Sequence, residues 1–306
     1  MKKYYKKKKI VIFAYSQIGY ESIKILNNLN LEIIYVITHV NNPKERIWFN
    51  SIESICKKLK IKFLYFEKVG FNKIYNKLRR HNIDCIFSFY FRRIIPDNIL
   101  NCAKIGGVNV HGSYLPSYRG RSPVNWQIIN GEKNGGVSFH FMKKKADSGD
   151  IICQKKLKIL NSDNAISLQK KINKASRKLL LQNSQKILNN EIKSFKQNKQ
   201  KSSYFGARKP EDGLLSLKMN SIKIYNMVRA LSFPYPGAFL YYKKKKIIIN
   251  KCKIMNKKIS QKKKLFIHNN NLLIKTIDSK YINIQEIILD SAKIKGSRLI
   301  SYFKNL

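Results

Sequence analysis

Apolar runs alternate with helical patterns through the first third of the chain. Runs typical of buried strands cover residues 9–15, 31–38, 61–66, 84–89 and 107–111. Between them, apolar residues fall on one helical face at about 18–28, 48–59 and 71–80. Strands that alternate with helices predict βαβ units, and hence an α/β fold with a mostly parallel sheet covered by helices on both faces. Ligands of such sheets bind at the carboxyl ends of the strands, where Tyr15, Tyr90 and His111 fall.

The pattern of apolar and polar residues changes in the second half of the chain. An extended stretch at 151–159 precedes a long helix predicted from about 165 to 190. A polar, aperiodic stretch then predicts a linker, and a second helix at 221–231 is stopped by Pro234 and Pro236. Short alternating strands are predicted at 237–242, 246–254, 265–268, 272–277 and 281–289. We therefore expect a first domain at 8–192, a linker at 193–203, and a smaller antiparallel β-barrel domain at 204–302.

Length and composition exclude several classes of protein. The chain has 306 residues, 43% of them hydrophobic, and no apolar run approaches the length that spans a bilayer. The charged start resembles a signal peptide, but its apolar run ends at Ser16-Gln17 without a small-residue cleavage site, so a first strand is predicted instead. The five cysteines are odd in number and lack CxxC spacing, which predicts reduced thiols, a cytoplasmic protein and no zinc site.

The formal charge of +45 has two explanations. A basic protein of this size ordinarily binds nucleic acid or another polyanion. However, the lysines are spread along the whole chain and accompany abundant Asn and Ile, as an A- and T-rich coding sequence favours. We take coding bias as the main cause, and attraction of anionic substrates as its consequence. No specific nucleic-acid partner is expected.

Candidate chemistry lies between residues 106 and 150. Asn109 and His111 end an apolar run two residues apart, so in a strand they point to the same side. His is suited to shuttling protons near neutral pH, and Asn can stabilise an oxygen that becomes negative. A carboxylate from the Ala-Asp-Ser-Gly-Asp sequence that follows, Asp147 or Asp150, would raise the pKa of the His. A structural polar pair at a strand end is the alternative. We expect His39, His81, His140 and His268 to have surface or structural roles.

A set of short sequences beyond this stretch carries a family resemblance. They are Phe13-Ala14-Tyr15, Thr38-His39, Asn42-Pro43, Ile86-Phe87-Ser88-Phe89-Tyr90, Tyr118-Arg119-Gly120-Arg121, Val124-Asn125-Trp126, Asn130-Gly131-Glu132, Lys145-Ala146-Asp147, Phe205-Gly206, Asn226-Met227-Val228-Arg229-Ala230, Pro234-Tyr235-Pro236-Gly237-Ala238-Phe239 and Gly296-Ser297-Arg298-Leu299. Aligned in a single register, these sequences resemble the folate-dependent formyltransferases over nearly the whole chain. The resemblance implies a Rossmann-like domain followed by an OB-like barrel, and transfer of formyl from 10-formyltetrahydrofolate to an amine without a metal.

The same resemblance implies roles for individual residues. It makes Asn109, His111 and Asp147 the catalytic set, and leaves Asp150 as a turn residue. It implies folate contacts for Arg93, Ile94, Ile95, Arg121, Lys143, Lys144, Lys145, Ala146 and Asp147. The chain departs from the family at Tyr114, where Leu is usual, and at Gly135-Gly136, where Thr-Gly is usual. Tyr114 is therefore expected to reshape the pocket.

The acceptor is also inferred from the resemblance. The closer likeness is to formyltransferase domains that act on UDP-4-amino-4-deoxy-L-arabinose, in lipid A modification and polymyxin resistance. Such domains continue into an NAD-dependent decarboxylase; we expect that activity to be absent here and a separate decarboxylase protein to supply the pathway. One alternative is a methionyl-tRNA formyltransferase, favoured by the basic charge. The other is a non-catalytic nucleic-acid-binding remnant, which the intact Asn–His–Asp set disfavours.

Overall fold

The computed structural model describes residues 7–43, 45–256, 259–289 and 292–304. Two compact units interleave along the chain. The first unit comprises residues up to Gly120 together with 134–158 and 170–205, and the second comprises 121–133, 159–169 and the residues from Gly206 onward. The domain limits at residues 192 and 204 stay predictions.

Helices of both units are bounded as follows: α1 Ser16–Asn27, α2 Ile52–Lys58, α3 Phe66–Leu78, α4 Asp97–Leu100, α5 Pro123–Ile129, α6 Ala165–Leu188, α7 Ser221–Leu231 and α8 Gly296–Lys304. The strands of the first unit are β1 Lys8–Ala14, β2 Leu31–Thr38, β3 Phe63–Tyr65, β4 Cys85–Phe89, β5 Gly107–His111, β6 Arg119–Gly120, β7 Asn134–Phe141, β8 Ile151–Lys158 and β9 Tyr204–Phe205.

The main sheet of the first unit has the order β3-β2-β1-β4-β5-β7-β8. Its first five strands pair in parallel, whereas β7 pairs antiparallel with both β5 and β8. The parallel strands are nearly continuous apolar runs because both faces of the sheet are covered. In β1, Val11 and Phe13 are fully buried in a cluster with Ile74 of α3 and Ile99 of α4. Each such side chain contributes about 1.5–3 kcal/mol by leaving water.

The second unit contains an antiparallel sheet of β10 Ala238–Tyr242, β11 Lys245–Met255, β12 Leu265–His268, β13 Asn271–Lys275, β14 Tyr281–Leu289 and β15 Ala292–Lys295. Its order is β10-β11-β14-β13-β12, and β15 pairs with β14. Helix α7 begins where the Asn220 side chain accepts from the Lys223 N–H and Asp278 accepts from the Ser221 N–H. These contacts satisfy donors that a helix start leaves open. The predicted fold class, a mostly parallel α/β sheet followed by an antiparallel OB-like one, is confirmed.

Several local predictions were wrong. Helix α3 begins at Phe66 rather than 71, because the chain is helical on both sides of a kink at Gly70, where φ is +63°. The C-terminal helix α8 was not predicted, although Leu299, Ile300 and Phe303 provide its buried face. The linker at 193–203 stays a prediction, and its backbone makes ordered contacts. Phe195 exchanges two backbone hydrogen bonds with Ile151, and Lys199–Lys201 forms a 3₁₀ turn. Across the described ranges, no helix is both long and apolar enough to cross a membrane.

Candidate active site

The predicted catalytic residues come together at the carboxyl end of β5. Asn109 and His111 lie on this strand, and Asp147 lies in the loop that joins β7 to β8. The sheet brings the loop back because β7 runs antiparallel beside β5, with His140 directly opposite Asn109. His111 is buried, and the Asp147 side chain is only 11% exposed. The arrangement is a polar cluster at a strand end, shielded from water.

Asp147 is the centre of this cluster. Its Oδ2 accepts the Gly120 backbone N–H at 2.8 Å and lies 3.6 Å from His111 Nδ1. Its Oδ1 accepts from Asn109 Nδ2 at 3.3 Å and lies 3.4 Å from His140 Nε2. Burial alone would raise the pKa of Asp147, but the neighbouring His111 and the Gly120 N–H hold this pKa well below its usual range. The carboxylate therefore stays charged at all ordinary pH values.

The His111 ring is held from both sides. Nε2–H donates to the Tyr118 carbonyl oxygen at 2.6 Å, while Nδ1 faces the Asp147 carboxylate. Both ring nitrogens thus face oxygens, which fixes the orientation of the ring. Tyr118 and Asp147 have φ values of +61° and +51°. This left-handed backbone costs about 1–3 kcal/mol for a residue other than glycine and clusters at functional sites.

His140 belongs to the same cluster, contrary to the role expected from the sequence. It is 1% exposed, and its Nδ1–H donates to the Phe141 carbonyl oxygen at 2.8 Å. Its Nε2 is then an acceptor, and Asn109 Nδ2 lies 3.2 Å away. The amide nitrogen of Asn109 therefore lies between His140 and Asp147. The polar alternation of Ser138 and His140 within β7 was a signal for this placement.

The loop that carries Asp147 is held by a residue that sequence reasoning missed. Gln197 donates through Nε2 to the carbonyl oxygens of Asp147 and Gly149, at 2.9 and 2.6 Å. Its Oε1 accepts from the guanidinium of Arg119, which is buried rather than part of a solvated basic loop. At Gly149 an added Cβ would overlap the Phe141 carbonyl oxygen. Nothing in the polar stretch around Gln197 distinguishes it in the sequence.

Asp150, the other candidate carboxylate, is outside the cluster. Its Oδ1 lies 3.1 Å from Lys143 Nζ, and both side chains are partly exposed. An ion pair of this kind contributes little to stability. In this structure Asp147, and not Asp150, is the carboxylate beside His111.

The residues implied as folate contacts fall in three places. Arg93 and Ile94 follow β4 and are exposed, whereas Ile95 is buried in the core. Lys143, Lys144 and Lys145 are exposed, and Ala146 is half-buried, in the loop that leads to Asp147. Arg121 is exposed and belongs to segment 121–133 of the second unit. Tyr114, one departure from the family pattern, is 43% exposed and packs against Gly136.

The same geometry bears on whether the described side chains could bind a metal ion. Within the part of the chain that the structure describes, no group of three or more His, Cys, Asp or Glu side chains is arranged to hold a metal ion.

Comparison with known proteins gives matches in both units. The family description "Formyl transferase" matches residues 8–183, and "Formyl transferase, C-terminal domain" matches residues 208–302. A curated relative, the bifunctional polymyxin resistance protein ArnA of Wigglesworthia glossinidia brevipalpis, is 40% identical in an alignment covering 97% of this chain and 48% of the relative. The chain therefore spans about half the length of that relative.

Solved structures agree with this fold. The N-formyltransferase of Helicobacter canadensis, solved with folinic acid and dTDP-3-aminofucose, is 24% identical with a TM-score of 0.71, covering 92% of this chain and 99% of that one. WlaRD, a sugar 3N-formyl transferase solved with dTDP and 5-N-formyl-THF, is 26% identical with a TM-score of 0.69, covering 92% and 98%. On these matches, the chain belongs to the formyl transferase family.

Proposed function

We propose that the chain moves a formyl group from 10-formyltetrahydrofolate to the 4-amino group of UDP-4-amino-4-deoxy-L-arabinose. The observation that carries the reaction type is the cluster in which Asn109 and His111 meet at the Asp147 carboxylate. The choice of an amino-sugar acceptor is supported by the ArnA relative and by WlaRD, whose names describe polymyxin resistance and a sugar formyltransferase. Folates in the neighbouring structures support the donor.

His111 moves the protons of this reaction. Formyl transfer removes a proton from the attacking amine and adds one to N10 of the folate, which supplies the formyl group. His111 accepts the amine's proton and passes one to the departing N10. The Asp147 carboxylate beside the ring stabilises it while it holds the transferred proton.

Asn109 stabilises the formyl oxygen as it becomes negative. Its Nδ2 hydrogens face Asp147 at 3.3 Å and His140 at 3.2 Å. Both contacts are long, so the oxyanion can take over one of them at small cost while the other keeps the amide oriented.

The folate contacts are carried over from the family. We propose that Arg93, Ile94 and Ile95 bind the folate through the exposed segment after β4, and that Lys143–Asp147 and Arg121 complete its site. Guanidinium and ammonium groups suit the carboxylates of a folate. All five cysteines are free thiols, which supports a cytoplasmic location. A separate decarboxylase protein that supplies the pathway remains a prediction, and co-purification from the source cells would test it.

The first experiment is a direct assay. Purified protein is incubated with 10-formyltetrahydrofolate and either UDP-4-amino-4-deoxy-L-arabinose or initiator Met-tRNA, and the formylated product is identified by mass. We expect formyl sugar nucleotide, and less of it with the Asn109→Ala variant. His81→Ala is a matched control, since the His81 ring packs edge-on against Tyr35, outside the cluster.

The methionyl-tRNA alternative is not favoured by the relatives. Formylation of Met-tRNA but not of the sugar nucleotide would overturn the proposal. Absence of transfer to either acceptor would favour a non-catalytic remnant. Competition among tRNAs at about 0.15 M salt adds a second measurement, because binding due only to the +45 charge is non-specific and falls steeply with salt.

A further inference from the structure

A second histidine–carboxylate pair lies at the end of β2. His39 is 6% exposed, and its Nδ1 lies 2.6 Å from Oε1 of Glu67 on α3. The other oxygen of Glu67 accepts the backbone N–H of Val40 at 3.0 Å. Glu67 thereby fixes both the ring of His39 and the backbone beside it. The reaction proposed above uses neither residue.

The second ring nitrogen of His39 contacts the backbone of the segment that follows β4. Its Nε2 lies 3.1 Å from the backbone nitrogen of Arg92, and its ring stacks on Phe91 with centroids 4.3 Å apart. The Arg92 guanidinium is occupied elsewhere: it binds both oxygens of Glu45 at 2.7 Å and lies 4.3 Å from the centre of the Tyr15 ring. With Arg92 held at its amide and its side chain, the next residues, Arg93 and Ile94, are presented to solvent.

Only one form of His39 fits both contacts. The Arg92 N–H is a donor, so Nε2 must be an acceptor, and Nδ1 must carry the hydrogen that it donates to Glu67. A protonated ring would place an N–H against the Arg92 N–H. The segment is therefore held only while His39 is neutral with its hydrogen on Nδ1.

We propose that His39 is a positioning residue for the formylfolate: by holding the Arg92 amide, it fixes the segment from Arg92 to Ile95 in the shape that binds the folate. This inference rests on the proposed function, which assigns Arg93–Ile95 to the folate site. His39 acts through this segment and touches no reacting atom, so its loss is expected to weaken folate binding and to leave the chemical step nearly unchanged.

The charges around His39 add a pH dependence. Burial lowers its pKa, and the nearby Arg92 and Arg93 guanidiniums lower it further, whereas Glu67 opposes them. Tyr15 faces the ring edge-on. His39 is therefore neutral at neutral pH and becomes charged only below about pH 6.5, the ordinary value for His. Folate affinity should fall as the pH falls through the lowered pKa, because the charged ring repels the Arg92 N–H.

Two variants distinguish the roles of the two ring nitrogens of His39. His39→Asn keeps an amide donor near the Nδ1 position for Glu67 but leaves the Arg92 N–H without an acceptor. His39→Gln instead places an amide oxygen near the Nε2 position, where it can accept that N–H. His81→Asn is the matched control for the same substitution at a histidine that packs on Tyr35.

The measurement is calorimetric binding of 5-formyltetrahydrofolate, a stable isomer of the donor, together with kcat at saturating substrates. We expect His39→Asn to raise Kd about tenfold, the effect of roughly one buried hydrogen bond, with kcat within about threefold of the parent. His39→Gln should restore Kd to within about threefold and should lose the parent's weakening between about pH 7.5 and 5.5.

Each outcome decides one question. Equal Kd values for the parent and His39→Asn would overturn the inference and leave the proposed function intact. Weak binding by both variants, with a lowered midpoint of thermal unfolding in both, would assign His39 a structural role only. A parent protein that binds no formylfolate would overturn the proposed function, and the inference with it.

Discussion

Two pairs of histidine and carboxylate lie at the carboxyl ends of strands in the first unit, and their second ring nitrogens have opposite roles. His111 and Asp147 are 3.6 Å apart, with side chains 7% and 11% exposed, whereas His39 and Glu67 are 2.6 Å apart, with side chains 4% and 42% exposed. In His111 the second ring nitrogen donates to the Tyr118 carbonyl oxygen, and in His39 it accepts the Arg92 N–H. Only the second arrangement requires a neutral ring.

A carboxylate beside a histidine therefore does not by itself define a catalytic residue. What distinguishes the two pairs is the atom on the far side of the ring. A carbonyl oxygen there makes the facing ring nitrogen a donor, and a backbone N–H makes it an acceptor. The following predictions test this distinction, from the largest expected effect to the smallest.

The largest effect is expected at His111. His111→Ala should lower kcat by at least roughly 10²-fold, the low end of what a positioned acid–base group contributes. Binding of 5-formyltetrahydrofolate should survive, in contrast to His39→Asn. Steady-state kinetics and calorimetry measure the two quantities. Turnover within a few-fold of the parent would remove His111 from the mechanism.

His140 tests whether Asn109 must be held from both sides. His140→Leu leaves one hydrogen of the Asn109 amide without its acceptor, so kcat should fall about tenfold, as for a lost hydrogen bond. His140→Gln can supply an acceptor and should recover most of that loss. The KM values should change little in both variants. Equal losses of kcat in the two variants would instead indicate a packing role for His140.

The pH dependence of stability should also separate the pairs. Asp147 has a folded pKa below that of the unfolded chain, so its stabilising contribution is present above about pH 4 and is lost as the pH falls through the folded value. For His39, whose folded pKa is also lowered, the unfolded chain takes up the proton first, so stability falls as the pH drops below about 6.5.

Urea unfolding of matched variants measures both effects. The difference in unfolding free energy between the parent and Asp147→Asn should stay constant from about pH 7 to 5. Over the same range, the difference between the parent and His39→Gln should change, with the parent losing stability. The reverse pattern would contradict the directions of the pKa shifts of Asp147 and His39.

The smallest effect on stability is expected at Lys143. Its ion pair with Asp150 is partly exposed, so Lys143→Gln should change the unfolding free energy by less than about 0.5 kcal/mol. If Lys143 contacts the folate as proposed, Kd for 5-formyltetrahydrofolate should nevertheless rise. An unchanged Kd would remove Lys143 from that site.

The sequence predicted the strands and the positions of the proposed catalytic residues better than the residues that support them. Asn109 and His111 could be placed because the period of a strand puts them on one side, and Asp147 because of its place in a recognisable stretch. His140 was missed because its partner depends on β7 pairing antiparallel with β5, a register that local pattern does not reveal. Gln197 was missed for another reason: it lies in a polar stretch without periodicity, and its role arises only from tertiary contacts.

Residues 193–205 contact the loop that carries Asp147, and these contacts limit where chimeras between relatives can be joined. A boundary at residue 192 would remove Gln197, which holds the Asp147 loop, and Ser203, whose hydroxyl accepts the Tyr118 N–H. It would also remove β9, the only partner of β6 among the described strands. A chimera joined at 192 would keep every proposed catalytic residue and lose the support of the loops that orient them. The transplantable module therefore extends at least to Phe205, and exchanges of the segment that follows between relatives should be joined beyond that residue.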